Sequence, residues 1–131
     1  MKKLISISLV LLISVFCFSA EEKDDFKAIQ AAIKLGNATS LSQYFDEFVL
    51  IKTDTKEGKY SKQESSVIMK RFFEEHKPSD FAYDHQGSTP NGVKYAIATY
   101  TSKSETFNVY MKLKVINETE LRIKTLDFTK E

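Results

Sequence analysis

Asp80-Phe81-Ala82-Tyr83-Asp84-His85-Gln86-Gly87, then Val93-Lys94-Tyr95-Ala96-Ile97-Ala98-Thr99-Tyr100-Thr101, then Glu105 to Ile116 and Glu120 to Phe128, is the stretch that decides the fold. Its apolar and polar residues alternate with a period of two, the spacing of half-buried strands. The connections Ser88-Thr89-Pro90-Asn91-Gly92, Ser102-Lys103-Ser104 and Asn117-Glu118-Thr119 are too short for crossovers, so consecutive strands pair as antiparallel hairpins and form a meander. Aligning like faces predicts the register, because a one-residue slip turns every buried side chain outward. Phe81, Tyr83 and His85 are expected opposite Thr99, Ile97 and Tyr95, and these opposite Phe107, Val109 and Met111. Leu113 and Val115 are expected opposite Ile123 and Leu121. Leu126 and Phe128 have the other parity from Leu121 and Ile123, which predicts a bulge near Thr125 that turns Asp127 outward.

Upstream, the period is that of helices. Asp24 or Asp25 can cap a helix with Phe26, Ile29 and Ile33 at helical spacing, and Gly36-Asn37 is a left-handed stop. Ser40 is expected to open a short second helix carrying Leu41, Tyr44 and Phe45, ended by Asp46. Phe48-Val49-Leu50-Ile51 is apolar on both faces, which predicts a strand buried on both, and a turn from Asp54 to Gly58 leads to a brief strand around Lys59-Tyr60. Ser61-Lys62-Gln63-Glu64 is a capping box that opens a third helix. Val67, Ile68, Phe72 and Phe73 are its expected buried stripe, and Pro78 ends it because the residue before a proline avoids helical dihedrals.

The order helix, helix, hairpin, helix, four-strand meander runs over residues 24 to 128. With Arg71-Phe72-Phe73, His76-Lys77-Pro78-Ser79-Asp80-Phe81, His85-Gln86-Gly87-Ser88 and Gly92-Val93-Lys94-Tyr95-Ala96-Ile97, it resembles the nuclear transport factor 2-like (cystatin-like) superfamily and, within it, an exported family of Bacteroidetes of unknown function. The resemblance implies an α+β domain: a cone-shaped curved antiparallel sheet, made of the meander plus an N-terminal hairpin, with three helices covering its concave face and a pocket there. Enzymes, binders and dimerisation modules all use such a sheet, so the fold does not choose among them.

The chain of 131 residues fits one domain, here residues 21 to 131. Residues 1 to 20 read as a secretory signal peptide: Met1-Lys2-Lys3 is the basic start, Leu4 to Phe18 the apolar run, and Glu21-Glu22-Lys23-Asp24-Asp25 stops that run short of a membrane span. Cleavage is expected after Ser19 or Ala20. Acylation of Cys17 as a lipoprotein is the weaker alternative, because Phe16 stands where such signals carry a small residue. The expected location is the periplasm or the medium, with no stable membrane insertion after cleavage. Loss of Lys2 and Lys3 leaves seventeen basic against eighteen acidic residues and no cysteine. Disulfides and thiolate metal sites are thereby excluded from the cleaved form, and the near-neutral balance gives no argument for nucleic acid.

The expected register sets Tyr83, His85, Tyr95, Ile97, Thr99 and Met111 around a concave pocket, suited to a small, mostly apolar ligand. The reading favoured is therefore a non-catalytic exported binding domain with no cofactor. The enzyme alternative, of isomerase, dehydratase or hydrolase kind, takes His85 as general base and Tyr95 as hydrogen-bond donor, with Asp46 or Asp127 as carboxylate. Alternation sends Asp84 and His85 to opposite faces, and His76 in the last helical turn suits the negative end of the helix dipole; with so few ligands available, no metal site is expected in the chain. On the outer face, Lys94, Lys112 and Lys124 are expected in one row, with Lys114 beside Arg122. Ala82, Ala96, Ala98, Tyr100 and Tyr110 form a small-residue patch on that face suited to a homodimer.

Overall fold

The computed structural model of the chain describes residues 24–131; the expected signal peptide and Cys17 lie outside them. Helix α1 is Asp25–Leu35, α2 Ala38–Ser42 and α3 Lys62–Glu75. The strands are β1 Phe45–Lys52, β2 Glu57–Ser61, β3 Pro78–Ser88, β4 Lys94–Ser102, β5 Glu105–Asn117 and β6 Glu120–Lys130. None of the helices among the described residues is long and apolar enough to cross a membrane.

Local hydrogen bonding starts and stops the helices. The Asp24 side chain accepts from the Lys27 amide, and Gly36, at φ 68°, closes α1 in the left-handed region, where a side chain is costly. Asn37 caps α2 by accepting from the Ser40 amide, so the second helix opens before Ser40 and ends before Phe45, which already belongs to β1. The Ser61–Glu64 capping box of α3 is complete, with bonds of 3.1 and 3.2 Å.

Six strands form one curved, open sheet in the order β2-β1-β6-β5-β4-β3. The meander and the N-terminal hairpin are antiparallel, but they join through a parallel pairing of β1 with β6, so the sheet is mixed. The helices cover one face, and α1 reaches the edge strand through Gln30 Nε2, which donates to the Phe81 carbonyl at 3.1 Å. Phe72 is the hub of the core: its ring lies 4.6 Å from Phe128, 5.2 Å from Phe107 and 5.4 Å from Tyr100, centroid to centroid. Such pairs add about 0.5–1.5 kcal/mol each beyond the area they bury.

Three expectations about burial change. Of the run Phe48 to Ile51 in β1 only Val49 and Ile51 are buried, as Phe45 is before them, while Phe48 and Leu50 stand half-exposed on the outer face. Helices cover just one side of this sheet, so an apolar run buries only every second residue. In α3 the buried stripe is Ser65, Met69, Phe72 and Phe73, and Val67 points to solvent.

The largest change is in β4. Ser102 pairs with Glu105, leaving a two-residue turn at Lys103-Ser104 instead of a three-residue loop. That moves β4 by one position: Tyr100, Ala98 and Ala96 stand opposite Phe107, Val109 and Met111 and are buried with them. The β3 pairing follows, with Phe81 opposite Tyr100 and Tyr83 opposite Ala98. A bulge between Tyr83 and His85 then sets His85 opposite Ile97. The β5–β6 register is the expected one, Leu113 with Ile123 and Val115 with Leu121, and Lys124 is the extra residue of a bulge. Leu126 and Phe128 thus join Leu121 and Ile123 in the core, and Asp127 pairs with Tyr110 on the outer face.

On that outer face, Leu50, Thr125, Lys112, Tyr95 and Gly87 form one row and Lys52, Asp127, Tyr110, Ile97 and His85 the next. Aspartate in place of a buried or an exposed β4 residue tests the parity. Ala98→Asp should lower unfolding free energy by about 3–5 kcal/mol, the cost of an unpaired buried charge, and Ile97→Asp by only about 1 kcal/mol. Urea denaturation of the two variants measures this; the opposite ranking would restore the register expected from alternation.

Candidate functional site

The shift of β4 divides the residues expected to line a concave pocket. Tyr83 and Met111 face the helices, whereas His85, Tyr95, Ile97 and Thr99 lie on the outer face. His85 and Tyr95 do meet, with Nε2 and the hydroxyl oxygen 3.2 Å apart, but at the exposed edge of the sheet. Tyr95 lies across Gly87, its cross-strand partner, where an added Cβ would come within 2.5 Å of the hydroxyl oxygen. The β3 bulge also brings Asp84 to this face, where its carboxylate accepts from Thr99 Oγ1 at 2.7 Å. Asp84 and His85 therefore share a face, contrary to strict alternation.

The carboxylates considered for acid-base work are elsewhere. Asp127 is in the row of His85 but three strands away, about 14 Å at ordinary strand spacing, and it accepts from Thr129. Asp46 lies 3.9 Å from Lys124. Of the expected dimer patch, Ala96, Ala98 and Tyr100 are in the core, leaving Ala82 and Tyr110 outside. Lys94 leaves the expected lysine row, since it has the parity of Ala96 and Ala98. Lys114 does pair with Arg122, and Glu120, bonded to Arg122, offsets that repulsion.

The inward face is occupied by packing. Two of its phenols are committed to backbone carbonyls: Tyr83 donates to Phe26 at 2.7 Å, and Tyr100 to His76. Burial pushes both hydroxyls well above the ordinary tyrosine range, helped at Tyr83 by the Asp24 carboxylate. Neither supplies a proton near neutral pH.

Polar chemistry instead gathers at the two ends of the sheet. At the end where α3 stops, His76 is 8% exposed and lies between two carboxylates, with Nε2 2.7 Å from Asp54 Oδ2 and Nδ1 3.2 Å from Glu105 Oε1. Both contacts are hydrogen bonds only when both ring nitrogens carry protons. Glu105 also bonds Lys130 at 2.8 Å. This ties the β1–β2 turn, the end of α3 and the ends of β5 and β6 together. Asp54, Glu75 and His76 each place one potential metal-ligand atom within 4.8 Å of the others.

At the opposite end, a cavity of about 670 Å³ lies between the start of α1 and the ends of β4 to β6. Phe26, Val115 and Leu121 supply apolar wall, and Asp24, Asp25, Lys27 and Lys94 supply charge. Asp25 is 4% exposed. Its Oδ2 accepts from the Leu121 amide at 2.8 Å, and its Oδ1 has no hydrogen-bond partner among the described residues. No sequence signal marked either end: the partners of His76 are 22 and 29 residues away in the chain, and Asp25 read simply as a capping residue.

A family model described as a domain of unknown function, DUF4783, matches residues 26–129. The crystal structure of a DUF4783 family protein from Bacteroides ovatus is similar at 25% identity and a TM-score of 0.72, over 79% of this chain and 93% of that one. Another, from Bacteroides uniformis, is similar at 22% identity and the same TM-score of 0.72, over 80% and 95%. An NTF-2 like protein of unknown function from Silicibacter pomeroyi shares the fold at 11% identity and a TM-score of 0.57, over 81% and 89%. No curated protein matches the chain.

The ion pair at the α3 end sets a pH dependence. The hydrogen bond from Lys130, and then the charge of His76, hold the Glu105 carboxyl below the usual carboxylate range, and the same bond raises Lys130. Glu105 thus contributes stability that is present above its unfolded pKa, about 4.3, and lost as pH falls through the lowered folded value. Lys130 contributes below its unfolded pKa, about 10.4, and that is lost as pH climbs through the raised one. Glu105→Gln should therefore lower the urea midpoint at pH 7 and cost progressively less toward pH 3. A deficit independent of pH would contradict the pairing.

Proposed function

The chain belongs to the DUF4783 family, and from that premise we propose that it is an exported, non-catalytic binding domain that takes a small ligand in the cavity at the α1 end. The observation that carries this reading is the buried Oδ1 of Asp25, which has no hydrogen-bond partner among the described residues. A buried acceptor without a donor costs about 1–3 kcal/mol, and a ligand bearing an N–H or O–H recovers that cost once a small rotation of the carboxylate turns the fully buried Oδ1 to the cavity that Asp25 lines. The wall of Phe26, Val115 and Leu121 suits the apolar remainder of such a molecule, because ligand sites combine apolar lining with a few placed polar groups. The inward face speaks against catalysis there, since the phenols of Tyr83 and Tyr100 are bonded to carbonyls. The N-terminal leader supports export.

A second reading rests on the outer face. Ile97 and Tyr110 are adjacent across β4 and β5 and 42% and 43% exposed, at the middle of a row that a second copy could cover. Light scattering at high micromolar concentration distinguishes a dimer, lost on Ile97→Asp, from a monomer.

Native mass spectrometry of protein purified gently from its own source tests the first reading. The wild-type chain should carry a bound small molecule, and Val115→Trp, which narrows the cavity at a position 39% exposed, should not. A wild-type chain that flies at its bare mass would sink the proposal.

A further inference from the structure

We propose that Asp54, Glu75 and His76 bind one divalent transition-metal ion of the zinc type, at the end of the sheet opposite the ligand cavity and independently of it. The donor set is one imidazole nitrogen and two carboxylates, whose ligand atoms all lie within 4.8 Å of one another. Zinc takes such donors at about 2.0–2.2 Å and completes its shell with water when the protein supplies three. Neighbouring donors on one tetrahedral ion are then somewhat over 3 Å apart, so Asp54 Oδ2, now 2.7 Å from His76 Nε2, has only to draw back slightly.

The surroundings prepare the imidazole for that role. Glu105 holds Nδ1 at 3.2 Å and is itself held by Lys130 at 2.8 Å. A carboxylate on the far nitrogen orients a ligating histidine, keeps the proton on that side and raises the basicity of the other nitrogen. Nε2 then exchanges its proton, released to solvent, for the ion. Phe72 and Phe107 pack on the ring at 4.9 and 5.1 Å, so its plane is set before any ion arrives. Asp54 and Glu75 are exposed, which opens the entry side to water. Asp54, Glu75 and Glu105 bring three negative charges against Lys130 and Arg71, the latter 3.8 Å from Glu75. Once Nε2 has given up its proton to solvent, the three carboxylates exceed the two cations by one negative charge, which the ion then meets.

A clasp that is only structural gives Glu75 no part, because its carboxylate does not bond His76 in the present arrangement. Glu75→Gln is therefore the informative variant, and its exposure keeps the fold intact. Isothermal titration of the full domain with zinc chloride at pH 7.5 should give one ion per chain and a rise in melting temperature. Glu75→Gln and Asp54→Asn should each weaken binding roughly tenfold or more, and Glu105→Gln roughly 10–100-fold through the lost orienting bond. Glu118→Gln, among the acidic residues of the other end, should bind as wild type. Cobalt(II) in place of zinc should show visible absorption of four-coordinate geometry that disappears in Glu75→Gln. The proposal is overturned by absence of binding, by affinity that ignores both Glu75→Gln and Asp54→Asn, or by several ions per chain equally reduced in Glu118→Gln.

Discussion

The turn at Lys103-Ser104 is the constraint on which the rest of the structure depends. Because Ser102 pairs with Glu105, only two residues separate the strands, and that count sets the parity of β4. With this parity Tyr100 enters the core beside Phe72, Phe107 and Phe128, and Ala96 and Ala98 lie beneath the helices as small residues that admit the rings around them. A three-residue connection would reverse all of these positions together, since side chains alternate strictly between faces.

That parity also determines where function can reside. Once Tyr100 is inward, its hydroxyl bonds the carbonyl of His76, which joins the middle of the sheet to the end of α3. The aromatic cluster then fills the space between the sheet and α3. Groups with spare hydrogen-bonding or charge capacity are pushed to the two ends of the sheet, where strands finish and side chains from different elements converge.

The ends differ in chemistry for structural reasons. At the α3 end, strand termini bring Glu105 and Lys130 together, and the β1–β2 turn, braced by Thr53 Oγ1 accepting from the Thr55 and Lys56 amides, presents Asp54 to His76. There every buried side-chain nitrogen and oxygen among the described residues has a hydrogen-bond partner. At the α1 end, the N-terminal residue of a helix is buried against β6, so that one oxygen of Asp25 accepts from the Leu121 amide and the other has no partner among the described residues. Buried polar groups are normally paired, and this exception lies beside the cavity at the start of α1.

Much of the fold was legible locally. The capping box at Ser61, the left-handed stop at Gly36 and the period of two after Asp80 are each decided within a few residues, by hydrogen bonds and alternation the sequence displays. The β5–β6 bulge was legible for the same reason, because Leu121, Ile123, Leu126 and Phe128 cannot share a face without it. The parity of β4 was not, since Tyr95, Ile97 and Thr99 on one side and Ala96, Ala98 and Tyr100 on the other are both acceptable core faces. Only closure of the turn against β5, and the volume available under α3, chooses between them. The His76 cluster and the Asp25 cavity were likewise settled in three dimensions: hydrogen bonds between side chains distant in sequence leave no periodic trace, and they exist only once packing has brought their elements together.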